Sequence, residues 1–257
     1  MAGFYAQIAR FYDAENRDKS DDLAFYERLL AAQGPGPLLE IGCGSGRVLI
    51  HLAQQLEIAH GVDREEAMLA RARRRLAHSS AELRGRIRLF HADVLQLEPG
   101  QQYQYLLLSY NCLMHFHTQA LQLALLRRLQ GWLLPQGLLV IDLPNAAEAF
   151  ASEDSEALKL ERSFHDPETG HLIMQQASSR LDRATQLMHT TWVYDEIDGD
   201  GLVQRTMAPE VFRHFFRSEL SLLLQLCGLR VEACYGDYGQ MPFEDGCERL
   251  LVLARHA

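Results

Sequence analysis

Three glycines at alternate positions, Gly42, Gly44 and Gly46, follow an apolar run (Leu38, Leu39, Ile41) and precede a helical pattern that begins Arg47-Val48-Leu49-Ile50. Glycine admits positive φ and lets a ligand approach the backbone with no Cβ in the way. A turn of this kind, at the top of a strand and opening a helix N-terminus, is a ligand-binding corner. The spacing narrows the choice of ligand. A dinucleotide fingerprint counted from Gly42 needs its third glycine at 47, where Arg47 stands, which disfavours NAD; a phosphate loop ending Gly-Lys-Ser/Thr is absent. Two residues before Gly42 is Glu40, a carboxylate in an otherwise apolar strand, which is costly unless paired. Asp63 follows a second apolar strand in Gly-Val-Asp, and Asp93 follows a third in His91-Ala-Asp-Val94.

The elements that must position these residues alternate. Helical signals over 4–32 end at Gln33-Gly-Pro-Gly-Pro37. Then come strand 38–42, helix 45–56, strand 58–62, helix 65–78, strands 86–91 and 103–109, helix 118–133 and strand 138–143. This alternation predicts an α/β fold with a parallel sheet and helices on both faces, all strand C-termini lying on one edge. From about 150 to 212 the pattern changes to segments 157–165, 171–181, 186–197 and 202–213, which lack helical period. Turn signals at 166–170, 182–184 and 198–201 separate them, Asp198-Gly199 being the strongest, so they read as antiparallel hairpins. Helix 217–227, strand 229–235 and strand 248–255 complete the first pattern. The chain therefore divides into an N-terminal helical lid (1–36), a cofactor-binding core (37–148), an antiparallel β insertion (149–213) and a C-terminal completion of the core (214–257).

Composition restricts the chemistry. The five cysteines (43, 112, 227, 234, 247) are scattered without Cys-x-x-Cys spacing, and His115 and His117 have no adjacent cysteine or carboxylate. Neither a disulfide framework nor a metal site is expected. The net charge of −9 argues against a nucleic-acid partner. Eight arginines between Arg64 and Arg88 could face phosphates, but with Glu65, Glu66 and Glu82 among them a solvated helix face is the preferred reading. Asp13, Glu15, Asp18, Asp21 and Asp22 interrupt any signal-peptide pattern, and no stretch reaches the ~20 apolar residues of a membrane span. A cytoplasmic protein without membrane contact is expected.

The pattern Glu40-x-Gly42-x-Gly44-x-Gly46 resembles motif I of the class I S-adenosylmethionine-dependent methyltransferases. The order of elements extends the resemblance over roughly residues 5–256, to the small-molecule branch that includes amino-sugar N,N-dimethyltransferases and glycine/sarcosine-type N-methyltransferases. It implies a Rossmann-like, mostly parallel seven-stranded sheet with the β insertion between strands 5 and 6, and S-adenosylmethionine as cofactor. By that resemblance Glu40 holds the methionine ammonium or braces the glycine loop, and Asp63 accepts from two ribose hydroxyls, a role compatible with its also capping the helix starting at 65. Met68 packs near the adenine or is plain core. Asp93 accepts from the adenine amino group while the Val94 N–H meets the ring, or Asp93 is a turn residue. The end of the fourth strand, Ser109-Tyr110-Asn111, floors the transfer site; Gln104 stands where the family often has an aspartate. The N-terminal aromatics Phe4, Tyr5, Phe11 and Tyr12 resemble a helix that folds over the cofactor, with Tyr5 among the cofactor contacts. Tyr235-Gly-Asp-Tyr238 and Met241-Pro-Phe243 could line the acceptor pocket.

The implied function is methylation of a small molecule, at an amine nitrogen. An amine must arrive neutral, and His115 is the candidate base, with Tyr12 and Tyr110 as orienting hydroxyls; His115 could equally be structural. O- or carboxyl-methylation, and an intramolecular reaction of the cofactor releasing methylthioadenosine, remain alternatives. The insertion makes a homodimer plausible.

Overall fold

The computed structural model describes residues 3–152 and 155–257. It begins with α1 (Phe4–Glu15) and α2 (Asp21–Gln33), two helices where the sequence suggests one continuous stretch. The break falls on the polar run 16–20, which has no apolar residue to bury. The alternating unit follows: β1 (Leu38–Ile41), α3 (Arg47–Leu52), β2 (Ala59–Asp63), α4 (Glu66–Ala77), α5 (Ala81–Arg86), β3 (Ile87–His91), β4 (Tyr103–Leu108), α6 (Gln119–Trp132), β5 (Leu133–Pro144) and α7 (Ala146–Ala151). Four long strands form the insertion: β6 (Ser155–His165), β7 (Leu172–Asp182), β8 (Leu187–Ile197) and β9 (Val203–Arg213). The chain closes with α8 (Arg217–Leu226), β10 (Leu229–Tyr235) and β11 (Arg249–His256).

The large sheet has seven strands in the order β10-β11-β5-β4-β1-β2-β3, with β11 antiparallel to both neighbours and the remaining pairs parallel. Its central strands are continuous apolar runs because both faces are covered. Leu39, Ile41, Leu106, Leu108, Leu139 and Ile141 face α6 and α8, packing against Leu125, Leu129, Leu220 and Leu224. Their alternates Leu38, Tyr105, Leu107, Leu138 and Val140 face α2 and α3, packing against Phe25, Tyr26, Leu49 and Leu52. The strand order, not the strand direction, reverses between β1 and β4, so their C-terminal ends open a crevice, the place where open α/β sheets bind ligands.

The insertion is a separate antiparallel sheet, β6-β7-β8-β9. Its hairpins share one chemistry. Asp166, Asp182 and Asp198 each accept backbone N–H bonds from residues just ahead, and Gly170, Gln186 and Gly201 supply the left-handed residue that turns the chain back. The positive φ of the last hairpin is thus at Gly201. One face of the sheet packs on α1, where Phe4, Ile8 and Phe11 meet Ile173, Tyr194 and Ala208. Phe11 stacks on Tyr194 with ring centroids 4.8 Å apart. This contact sets α1 against the crevice. Among the described residues no helix is long and apolar enough to cross a membrane.

Candidate active site

A single cavity runs along the C-terminal ends of β1, β2 and β4 and under α1. Its lining includes Tyr5, Tyr12, Glu40, Gly42, Gly44, Asp63, Met68, Asp93, Val94, Ser109, Tyr110 and His115. The glycine turn forms its floor, with φ of +68°, +54° and +76° at Gly42, Gly44 and Gly46. The N–H groups of Gly42 and Cys43 both donate to the Val62 carbonyl (2.8 and 3.1 Å), tying the turn to β2. A Cβ on Gly42 would stand 2.7 Å from the Cys112 sulfur, so this glycine is required for space as well as for φ. Gly46 lies outside the cavity lining: a Cβ there would meet Ile50 and Ala72 at 3.0–3.3 Å, so it serves the packing of α3 on α4.

Asp63 holds the turn from the other side. One carboxylate oxygen accepts from Gly44 N–H at 2.8 Å and the other from Glu65 N–H at 2.9 Å. Burial nevertheless pushes its carboxyl above the usual range, against the lowering effect of those two bonds. It is not the helix cap, since α4 starts at Glu66 with Glu65 in the cap position. Asp93 likewise accepts from Leu95 N–H at 2.8 Å and presents its turn to the cavity. Met68, fully buried, packs below Gly44.

Glu40 is 2 % exposed, and one of its oxygens accepts the Ser109 hydroxyl proton. Its other oxygen is buried without a hydrogen-bond partner and belongs to a side chain lining the cavity. Desolvation pushes the carboxyl up to about 8, with the Ser109 bond and nearby Arg47 opposing. A cationic ligand group is what this oxygen lacks. Because such a group favours ionised Glu40, binding must release a proton below pH 8. Affinity for S-adenosylhomocysteine is therefore expected to fall by up to about tenfold per unit as pH drops from ~8 to ~6. Calorimetry across that range checks this, and Glu40→Gln should flatten the dependence. In the free protein the sign is opposite: the raised carboxyl binds more protons folded than unfolded, so stability falls as pH rises from 4.5 to about 8.

The other end of the cavity is aromatic. Tyr5 of α1 has its hydroxyl 3.0 Å from His115 Nε2, and its ring meets those of Tyr12 and His115 edge-on at 6.1 and 5.4 Å. Burial holds both tyrosines well above their ordinary titration range, so they are neutral phenols. His115 sits on a 3-10 turn (Cys112–His115) that follows two residues in the left-handed region, Tyr110 (φ 33°) and Asn111 (φ 67°). Such conformations cost about 1–3 kcal/mol each and need over-determination. Asp142, wholly buried on β5, supplies it. Its carboxylate accepts from Tyr110 N–H (3.3 Å), Tyr26 OH (2.8 Å), Tyr238 OH (3.0 Å) and the Arg249 guanidinium, which also donates to the Asn111 side chain at 3.0 Å. Lys19 packs its ammonium on the Tyr110 ring, and burial pulls that group down to about 7.

Of the residues singled out in the sequence, Tyr5, Tyr12, Glu40, Gly42, Gly44, Asp63, Met68, Asp93, Val94, Ser109, Tyr110 and His115 line one cavity, whereas Gly46, Phe4, Phe11, Tyr235, Tyr238, Met241 and Phe243 lie outside its lining. Four contributors carried no motif. Arg47, noted above only as a missing glycine, pairs with buried Asp22 through bonds of 2.7 and 2.5 Å and lines the cavity. Asp142 and Arg249 are an ion pair on neighbouring antiparallel strands. Glu210 of β9 approaches His115 from the insertion; the inward alternation Ala208, Glu210, Phe212 was the available signal for it. Of the arginines between 64 and 88, Arg71 and Arg75 pair with Asp13, Arg73 with Glu66 and Arg86 with Glu82. Among the described residues no cluster of His, Cys, Asp and Glu could hold a metal ion.

Fold and site together define a class I methyltransferase architecture whose crevice suits S-adenosylmethionine. Glu40 brings an unpartnered buried oxygen to this crevice, and Asp63, Asp93 and Val94 line it. Residues 38–137 match the family model described as methyltransferase domain. A dTDP-3-amino-3,6-dideoxy-alpha-D-glucopyranose N,N-dimethyltransferase of Streptomyces fradiae is 28% identical over 148 residues, 55% of each chain, so the match spans about half the length of that curated relative. Among solved structures, the CcbJ methyltransferase of Streptomyces caelestis superposes with a TM-score of 0.82 at 23% identity, covering 99% of this chain and 98% of that one. The S-adenosylmethionine-bound CalS10 amino pentose methyltransferase of Micromonospora echinaspora gives 0.71 at 20% identity, with 95% and 94% covered.

Proposed function

We propose that the protein methylates an amine nitrogen of a small molecule of the amino-sugar class, using S-adenosylmethionine. The observation that carries this reading is the meeting, in one cavity, of a cofactor wall (Glu40, Asp63, Asp93) with a Tyr5–His115 hydrogen bond roofed by Tyr12. The amino-sugar class is supported by the printed activity of the Streptomyces fradiae relative. Bound cofactor supplies an electrophilic methyl on a sulfonium; the chain's part is to align the acceptor, exclude water and take a proton. In this reading the 1–36 segment closes over the cofactor, the 149–213 insertion caps the acceptor end, and core segments 37–148 and 214–257 hold the floor. Tyr12 and Tyr110 orient the acceptor, and His115 keeps its nitrogen neutral. The exposed Leu158, Leu160 and Met207 of the insertion are the surface we assign to a second copy of the chain. A cytoplasmic setting agrees with five free cysteines.

Incubation with methyl-labelled S-adenosylmethionine and a panel of amino sugars tests the reading by mass spectrometry. Labelled N-methyl product with stoichiometric S-adenosylhomocysteine supports it; label transferred to oxygen, or retained in methylthioadenosine, overturns it. His115→Ala is expected to lower kcat by about 10²–10⁴ near neutral pH. The deficit should shrink at higher pH, where the amine is neutral without help.

A further inference from the structure

The insertion sheet carries one carboxylate on its inner face that packing does not explain. Glu210 lies between Ala208 and Phe212 on the inward alternation of β9, opposite Thr190 of β8. Its side chain is 11 % exposed, and one oxygen lies 3.4 Å from Nδ1 of His115, itself 17 % exposed. That Nδ1 is buried and has no hydrogen-bond partner. On the far side of the ring Nε2 is 3.0 Å from the Tyr5 hydroxyl. The phenol is neutral and can donate to Nε2, and the Glu210 carboxylate on the Nδ1 side favours the ring proton on Nδ1, which leaves Nε2 as the acceptor. A neutral imidazole that accepts at Nε2 carries its own proton at Nδ1, aimed at the Glu210 side. The ring is held edge-on to Tyr5 and tilted against Phe212 at 5.5 Å, which leaves it little freedom to turn away.

We propose that Glu210 is a positioning residue: it holds His115 in the Nδ1–H tautomer and stabilises the imidazolium, so that Nε2 can receive a proton from the acceptor amine through the Tyr5 hydroxyl. This rests on the reading of His115 as the base. The proton balance is complete within the chain. As the new N–C bond forms and the methyl–sulfur bond breaks, its electron pair staying on sulfur, the acceptor nitrogen carries one proton too many. It passes to the Tyr5 oxygen while the Tyr5 proton moves to Nε2, leaving a neutral phenol and an imidazolium beside Glu210. The gap of 3.4 Å is longer than a hydrogen bond, as such contacts often are before substrate binds. The arrangement follows a general rule: an imidazole that works through one nitrogen is oriented through the other. It also makes the insertion part of the active site, since the carboxylate stands on the insertion sheet and the imidazole on the turn that follows β4. The titratable groups in contact with the ring are Tyr5 from α1 and Glu210 from β9, and Tyr12, Cys112 and Asp63 share the cavity with it. Among the described residues Glu210 alone brings a carboxylate into ion-pair range of the ring.

Nitrogen NMR of the histidine-labelled whole protein reads the tautomer of His115 directly, with His115→Gln used for assignment. The Nδ1–H form is expected to dominate in the parent protein and to become a mixture in Glu210→Gln, with Glu210→Asp restoring it. In the same variants the acid limb of the kcat/KM–pH profile should move down by about one unit in Glu210→Gln, with kcat reduced about tenfold and KM little changed. A tautomer and profile unaltered by Glu210→Gln overturn the proposal. A tautomer that changes while the rate profile does not upholds the hold on the ring and overturns the base reading of His115, so the two failures are told apart.

Discussion

Asp63→Ala is expected to weaken S-adenosylhomocysteine binding by at least about 100-fold, roughly 2.7 kcal/mol. Two losses add. The carboxylate that would meet the ribose hydroxyls disappears, and bonds to charged groups contribute about 1.5–3 kcal/mol. The N–H groups of Gly44 and Glu65 also lose their acceptor, so the glycine turn is freed on the side facing β2. Asp63→Asn keeps one acceptor oxygen and should fall between the two. Calorimetric titration gives the number, and circular dichroism of the same samples shows whether the fold persists. A loss of less than tenfold with the fold intact would mean that Asp63 only braces the turn.

The second large effect concerns stability. Removing Asp142 by alanine leaves the Arg249 guanidinium, 12 % exposed, without its counter-charge, and strips an acceptor from Tyr26, Tyr238 and the Tyr110 N–H. Breaking one side of a buried pair typically costs about 3–5 kcal/mol. For a domain of this size that is a fall in Tm on the order of 10 °C. Because the same carboxylate holds the left-handed Tyr110–Asn111 step, surviving folded protein should also turn over poorly. The double variant Asp142→Leu with Arg249→Met removes both charges and should recover part of the stability but not the activity. A thermal melt of Asp142→Ala within two or three degrees of the parent would sink the account.

How much of this was legible follows from what each residue interacts with. The central strands of the large sheet could be read because they are buried on both faces and appear as nearly unbroken apolar runs. The insertion could be read because its hairpins begin with Asp and its strands lack helical period. The short helices α5 and α7 were not legible. Residues of α5 bury nothing, and both helices rest on single caps, Ser80 and Asn145, so no periodic face marks them. The break between α1 and α2 was missed for a related reason: helical pattern on both sides hides a polar gap of five residues.

The local chemistry of the turn was determined by sequence alone. Gly42, Gly44 and Gly46 need no partner to permit positive φ, and strand-end acids at 63 and 93 reach the same edge in any right-handed α/β alternation. Tertiary structure alone decided the rest. Whether Glu40 is paired, what holds Tyr110 and Asn111 in strained conformations, and which carboxylate faces His115 depend on residues far apart in the chain: Ser109, Asp142 with Arg249, and Glu210. Such contacts leave no periodicity or spacing, because a charge is stabilised by whatever the fold brings within a few ångströms of it, and chain distance does not enter that energy.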